Sequence, residues 1–153
     1  MIMNKAEEEF QKYLNKHNIP FCFIDQETNT FSKTVKRLDL KRPDFFVLVP
    51  NFGFVLVDIK DKVPLKKHGK ICLDYFETLR YCRLQKLFNM PVWFVVSNER
   101  VHYSTWFCMS ATRARDLDEF LVGREYLSLP IDEYFQLSTN EGFYKIFTKS
   151  NLL

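Results

Sequence analysis

Organised cysteine chemistry is absent from this sequence. Cys22, Cys72, Cys82 and Cys108 are scattered, with no CxxC pair and no suitably spaced histidine beside any of them. That argues against a disulfide framework and against a zinc site, and leaves buried reduced thiols as the expectation. His17, His68 and His102 fall at no ligand or catalytic-dyad spacing and are read as structural. No hydrophobic run approaches the length of a membrane span, and the opening MIMNKAEEEF lacks the apolar core of a signal peptide. The expectation is therefore a cytoplasmic protein with no membrane partner. A large excess of one charge is missing too, since a net charge of +3 permits nucleic-acid binding without demanding it. Nothing marks a second domain, so residues 1–153 are read as one domain. With 46% hydrophobic and 16% aromatic residues, it is large enough for a real core.

What is present is a dense apolar hairpin with charges at one end. Lys41 to Lys62 reads KRPDFFVLVPNFGFVLVDIKDK, two runs rich in Val, Leu and Phe around Pro50-Asn51-Phe52-Gly53. Pro, Asn and Gly supply the dihedrals of a tight turn, so the stretch predicts an antiparallel hairpin. Asp44 opens its first strand, and Asp58 and Lys60 close the second. Buried carboxylates are costly without a partner, and two at one end of a hairpin imply something positive held there. Alternation puts Asp58 and Lys60 on one face with Phe54 and Leu56, and Val55, Val57 and Ile59 on the other. A three-residue loop, Asn51 to Gly53, makes Val49 and Val55 neighbours and sets Asp44 opposite Lys60. Asp58 is then the diagonal neighbour of Asp44 on the same face, roughly 7 to 8 Å away between backbones, and both carboxylates can converge on one ion. An even-numbered loop without a bulge would separate them onto opposite faces.

The pattern Pro43-Asp44, hydrophobic hairpin, Asp58-Ile59-Lys60 resembles the signature of the PD-(D/E)XK nuclease superfamily, which includes restriction endonucleases and archaeal Holliday-junction resolvases. The surrounding order of elements agrees with it. Lys5 to Asn18 predicts a first helix, with Asn4 as cap, Glu7, Glu8 and Glu9 at its positive end, and Phe10, Tyr13 and Leu14 at helical spacing. Phe21 to Ile24 follows as a short strand, then the hairpin. Leu73 to Asn89 predicts a second long helix with Leu73, Phe76, Leu79, Leu84, Leu87 and Phe88 on its apolar face and a stop at Asn89 and Pro91. Pro91 to Ser97 reads as a buried strand. The fold class implied is α/β, a restriction-endonuclease-like mixed central sheet flanked by helices, in the order αβββαβ plus C-terminal additions. The resemblance covers about residues 5–110, leaving 111–153 as an extension. Just before the extension, a strand over His102 to Met109 carries Trp106 and Phe107, read as core rather than base-stacking residues. A helix near Ala114 to Val122 and a final strand at Phe143 to Phe147 make up the extension, the latter an apolar edge that would serve a homodimer.

For the site, the resemblance implies Mg²⁺, with Mn²⁺ as a substitute, bound by Asp44, Asp58, the carbonyl of Ile59 and Glu7. Glu7 lies three and seven residues before Phe10 and Leu14, on the buried face of its helix, where an acid from the first helix reaches the metal in such nucleases; its alternative is helix capping. Lys60 is placed to hold or deprotonate the attacking water or to neutralise the transition state. Two basic loops bracket the hairpin end. Lys33, Lys36, Arg37, Lys41 and Arg42 precede it, and Lys62, Lys66, Lys67 and Lys70 follow it, in loops read as contacting DNA phosphate. The second helix offers Glu77, Arg80, Tyr81, Arg83 and Gln85 but no exact QxxxY sub-motif, and Arg80 and Gln85 are the two assigned to phosphate. The function implied is a metal-dependent endonuclease hydrolysing DNA phosphodiesters. The alternative is a binding module of the same fold, in which Asp58 and Lys60 form a plain salt bridge.

Overall fold

The computed structural model describes residues 3–65, 69–117 and 125–149. Lys66 and Lys67, and the end of the expected helix at 114–122, lie outside the described residues. The first helix, α1 (Lys5–Lys16), starts at Asn4 as expected, in a reciprocal cap. The Asn4 side chain accepts from the Glu7 N–H, and the Glu7 carboxylate accepts from the Asn4 N–H. After β1 (Phe21–Phe23) comes a polar segment with one 3₁₀ turn and the short helix α2 (Lys33–Arg37), which buries no residue.

The hairpin is β2 (Phe45–Val49) and β3 (Gly53–Asp61). Then β4 (Lys70–Asp74) leads directly into α3 (Tyr75–Phe88), followed by β5 (Val92–Ser97), β6 (Thr105–Ser110) and α4 (Ala111–Leu117). The chain ends in β7 (Tyr126–Pro130), β8 (Phe135–Ser138) and α5 (Lys145–Lys149).

One six-stranded sheet runs β1-β2-β3-β5-β6-β8. It is mixed: β3 and β5 are parallel, joined across α3, and the other neighbours are antiparallel. A second, two-stranded antiparallel sheet pairs β4 with β7. The expected αβββαβ order is therefore interrupted by β4. Leu73, expected in the second helix, is a buried strand residue facing Leu127, and the helix begins two residues later with Asp74 as its cap.

Strand alternation builds two cores. Val55, Val57, Ile59, Val95 and Trp106 pack with Phe10 and Leu14 of α1 and with Phe143, Ile146 and Phe147. Leu56, Phe94, Val96 and Phe107 pack on the other face with Tyr81 and Cys82 of α3, Ala111 and Ala114 of α4, and Leu127 and Leu129. Trp106 and Phe107 are thus core, as expected. Cys82 and Cys108 are buried, but Cys22 is exposed, because its three-residue edge strand is too short to be covered. Phe143 to Phe147 is a turn and helix rather than a strand. Its apolar residues, at i, i+3 and i+4, are buried in the first core, so the apolar edge expected to serve a homodimer does not exist there. No helix among the described residues is long and apolar enough to cross a membrane.

The orientation of α3 departs most from expectation. Its apolar residues Phe76, Leu87 and Phe88 are exposed, and the side chains it buries are Glu77, Thr78, Tyr81 and Cys82. Apolar burial alone would turn the helix the other way, so a polar interaction sets its docking.

Phe10 joins the layers through edge contacts with Phe45, Trp106 and Phe143 at ring-centre distances of 5.6, 5.2 and 5.8 Å. Phe10→Ala should cost about 3 to 5 kcal/mol of stability. Urea unfolding checks it, with a lower midpoint at an unchanged m value as the expected result. A loss below about 1 kcal/mol would mean that the cavity collapses and the ring is not the link between layers.

Candidate active site at the strand ends

The strand ends of the hairpin carry the polar chemistry. In β3, Val57 and Ile59 face α1, and Leu56, Asp58 and Lys60 face α3. The hairpin loop is Pro50 to Phe52, with Asn51 at φ 63° and Gly53 at φ 118° closing it, so Val49 pairs with Gly53 and Phe45 with Val57. The register ends at Phe45, and Asp44 sits at the bend before it, with its N–H donating to the Val57 carbonyl at 2.9 Å. The expected pairing of Asp44 with Lys60 is corrected: the hairpin register is shifted by two residues, and the backbone leaves that register at Asp44. Asp44 and Asp58 line one cleft.

Asp58 is almost fully buried. Its Oδ1 accepts a hydrogen bond from the Tyr81 hydroxyl at 2.5 Å, and its Oδ2 lies 2.8 Å from the Lys60 ammonium. Lys60 is also 2.5 Å from Glu77 Oε1, and the other Glu77 oxygen lies 2.5 Å from Lys41. The result is a chain of alternating groups, Tyr81, Asp58, Lys60, Glu77, Lys41. Asp58 Oδ2 and Glu77 Oε1 sit at ion-pair distance from Lys60 yet accept no aligned hydrogen bond. Asp44 Oδ2 accepts from the Ile59 N–H at 2.6 Å, which ties the first acid to the residue between Asp58 and Lys60. Asp44, Asp58, Ile59, Lys60 and Lys41 line a cleft of about 280 Å³ together with Asn4, Glu7, Gln26, Arg42, Asp61 and Lys62, and Tyr81 and Glu77 stand behind it.

Glu7 has both of its expected positions at once. It closes the α1 cap through hydrogen bonds of 3.1 and 3.2 Å from the Asn4 backbone and side-chain nitrogens, and it lines the cleft. Among the described residues, no three His, Cys, Asp or Glu side chains form a ready-made metal cluster.

Acids outnumber the cations available to neutralise them. Burial, then the neighbouring Asp58 charge, push the Asp44 carboxyl up to about 8. Asp58 is raised by burial, opposed by Lys60. Glu7 is raised as well, by its partial burial, against the pull of the Asn4 hydrogen bond. Burial works against the Lys60 ammonium, but Asp58 and Glu77 together outweigh it and hold the proton on. The Asp44 carboxyl, raised to about 8 by burial and by the Asp58 charge, therefore favours its protonated form at neutral pH.

The remaining basic residues divide. Lys33, Lys36 and Arg37 are exposed on α2, and none is in an ion pair among the described residues. Arg42 lines the cleft, but its guanidinium donates to Gln26, Glu27 and Thr30. Lys62 lines the cleft and donates to the Cys72 carbonyl. Arg80 is paired with Asp39. Gln85 is a correction: it lies two turns further along α3, where it bonds the Thr112 hydroxyl and the Val92 N–H, and it does not line this cleft.

The residues of α3 that do reach the cleft groups are Glu77 and Tyr81. Their signal is the i, i+4 spacing itself, an ExxxY where the known sub-motif has Gln first.

No family profile and no curated protein matches the sequence. Solved structures do match. Hjc, a Holliday junction resolvase from the archaeal hyperthermophile Archaeoglobus fulgidus, is similar over 95% of this chain and 98% of its own, with a TM-score of 0.58 and 10% sequence identity. The chain shares the fold of this resolvase. That agrees with the restriction-endonuclease-like expectation at the level of architecture, a mixed sheet between helical layers.

The raised carboxyls have a consequence for stability. Between about pH 4 and pH 8 the folded protein holds a proton on Asp44 that the unfolded chain has released, so metal-free stability falls as pH rises; the raised Asp58 acts in the same direction. Glu77 is held down by Lys60 and Lys41 against burial, so it acts only below this window, and Lys60 loses its proton only above it. Urea unfolding in EDTA at pH 5, 6.5 and 8 should show this decline, and Asp44→Asn should flatten it. An unchanged slope in Asp44→Asn would place the titrating group elsewhere.

Proposed function

We propose that the chain is a metal-dependent nuclease that hydrolyses phosphodiester bonds in DNA. The observation that carries this is the buried Asp44 and Asp58 pair in one cleft, with Lys60 one strand alternation beyond Asp58, at the end of a hairpin in a resolvase-like fold. The donor set fits Mg²⁺, or Mn²⁺ in its place. It offers two buried carboxylates short of positive charge and an adjacent backbone carbonyl at Ile59, with Glu7 on the rim. Mg²⁺ keeps several waters and takes only one or two protein carboxylates, so a ready-made cluster of three is not required. When bound, the ion stabilises charge on the phosphate oxygens and acidifies a water.

The chain's own groups do the rest. The Tyr81 hydroxyl fixes the rotamer of Asp58 by donating to Oδ1, which leaves the buried Oδ2 against the Lys60 ammonium. Glu77 and Asp58 hold Lys60 as an ammonium between them. Of the roles open to Lys60, this arrangement supports donation and charge neutralisation rather than proton abstraction: a general base must first be neutral, and two carboxylates within 3 Å oppose that. Lys60 is then the group that stabilises the phosphorane charge as it develops. Lys33, Lys36 and Arg37 on α2 and Lys62 after β3 serve as backbone contacts for DNA, with Arg42 bonded to the segment that leads into α2.

The alternative, a non-catalytic DNA-binding module, reads the 2.8 Å pair of Asp58 and Lys60 as structural. It leaves Asp44 without a reason to be buried in the same cleft as Asp58.

Single-stranded, duplex, flapped and four-way DNA incubated with Mg²⁺, Mn²⁺ or EDTA separate the two readings. The expected result is cutting that needs metal, is lost in Asp58→Ala and falls about 10²- to 10³-fold in Lys60→Ala. Binding without cutting, unchanged by either substitution, would make the protein a binding module.

A further inference from the structure

Four cations line the cleft, and they are not equivalent. Arg42 is committed to structure, with its guanidinium 2.7 Å from the Gln26 carbonyl, 2.9 Å from that of Glu27 and 4.7 Å from the centre of the Phe31 ring. Lys60 is enclosed by Asp58 and Glu77, with 18% of its side chain exposed. Lys62 donates to a backbone carbonyl. Lys41 is 35% exposed, and Glu77 Oε2 is its one partner among the described residues. It is the more open of the two lysines that Glu77 holds.

Lys41 stands on a strap, residues 38–42, that α3 fastens with three side chains. Arg80 Nε donates to Asp39 Oδ1 at 3.0 Å. One guanidinium nitrogen of Arg83 lies 3.0 Å from Asp39 Oδ2 and 2.8 Å from the Asp39 carbonyl. Glu77 takes Lys41 itself. Asp39 has φ 51°, the left-handed region that few residues other than Gly, Asn and Asp adopt. Exposed ion pairs contribute little to stability. Two arginines on one strained, exposed aspartate therefore call for a positional explanation, and the residue they position is two places along the strap.

Resting on the nuclease reading, we infer that Lys41 contacts a backbone phosphate of the polynucleotide substrate, and that Asp39 is its positioning residue. An entering phosphate takes over the place of Glu77 Oε2 on the exposed side of the ammonium, while Glu77 Oε1 keeps its hold on Lys60. The ligand class is a phosphodiester backbone, recognised by charge without regard to base sequence.

Fluorescence anisotropy of labelled duplex and four-way DNA, across a NaCl series in EDTA, tests this with wild type, Lys41→Met, Lys41→Arg and Asp39→Asn. Lys41→Met should weaken binding to all sequences alike and reduce the slope of log Kd against log salt by about one. Lys41→Arg should restore it. Asp39→Asn keeps a residue suited to the left-handed backbone and removes a negative charge, which by bulk electrostatics would tighten binding; loss of positioning should weaken it instead. Wild-type slope and affinity in Lys41→Met, or tighter binding in Asp39→Asn, would overturn the inference. If wild type cuts DNA and Lys41→Met binds as it does, the nuclease reading stands and this one falls. If wild type binds but never cuts, the nuclease reading falls, and the reduced slope in Lys41→Met still supports the contact. Absence of wild-type binding at every salt concentration overturns both.

Discussion

The Lys60 ammonium, lodged between Asp58 and Glu77, is the interaction on which the rest of the structure depends. Removing one partner from a buried ion pair leaves an uncompensated charge and is strongly destabilising. Here one cation serves two acids from different elements, so it fixes the helix to the strand as well as balancing charge. That accounts for the docking of α3, which turns Glu77, Thr78, Tyr81 and Cys82 inward and leaves Phe76, Leu87 and Phe88 in solvent. The apolar core on that face is supplied instead by Ile71, Leu73, Leu127 and Leu129 of the small sheet.

This balance is incomplete. Asp44 shares the cleft with Asp58 and has a backbone N–H, not a cation, as its nearest charge relief, and its carboxyl is raised to about 8 as a result. A site built from such a pair has a place for positive charge that Lys60 alone does not fill. The fold holds the pair rigidly, because Asp58 lies on a strand flanked on both sides by others and Asp44 is at the start of its antiparallel neighbour. Metal and substrate, on this account, complete an electrostatic arrangement already built into the sheet.

Much of this was legible in local pattern, and the misses have identifiable physical causes. Pro50, Asn51 and Gly53 announced the hairpin, and alternation placed Asp58 and Lys60 on one face. The register was two residues off because a Pro-led and an Asn-led three-residue loop fit the same residues. Leu73 fits a helical stripe with Phe76, and only its pairing with Leu127, far along the chain, makes it a strand residue. Glu77 and Tyr81 stood among the polar candidates of the second helix without an assigned role, because hydrophobic periodicity gives the inward face to Phe76 and Leu87; the helix obeys the ion pair instead. Phe143, Ile146 and Phe147 had helical spacing, but their aromatic content favoured a strand reading.

Metal binding by the Asp44 and Asp58 pair is the central claim, and its most direct test is titration calorimetry of Mn²⁺ at pH 7 in two buffers of different ionisation enthalpy. The account predicts saturable binding that releases about one proton per site, because the ion displaces the proton that the raised Asp44 carboxyl holds. It also predicts that Asp58→Asn abolishes the binding. Absence of binding by the wild-type protein, or binding with no proton release that survives Asp58→Asn, would contradict it.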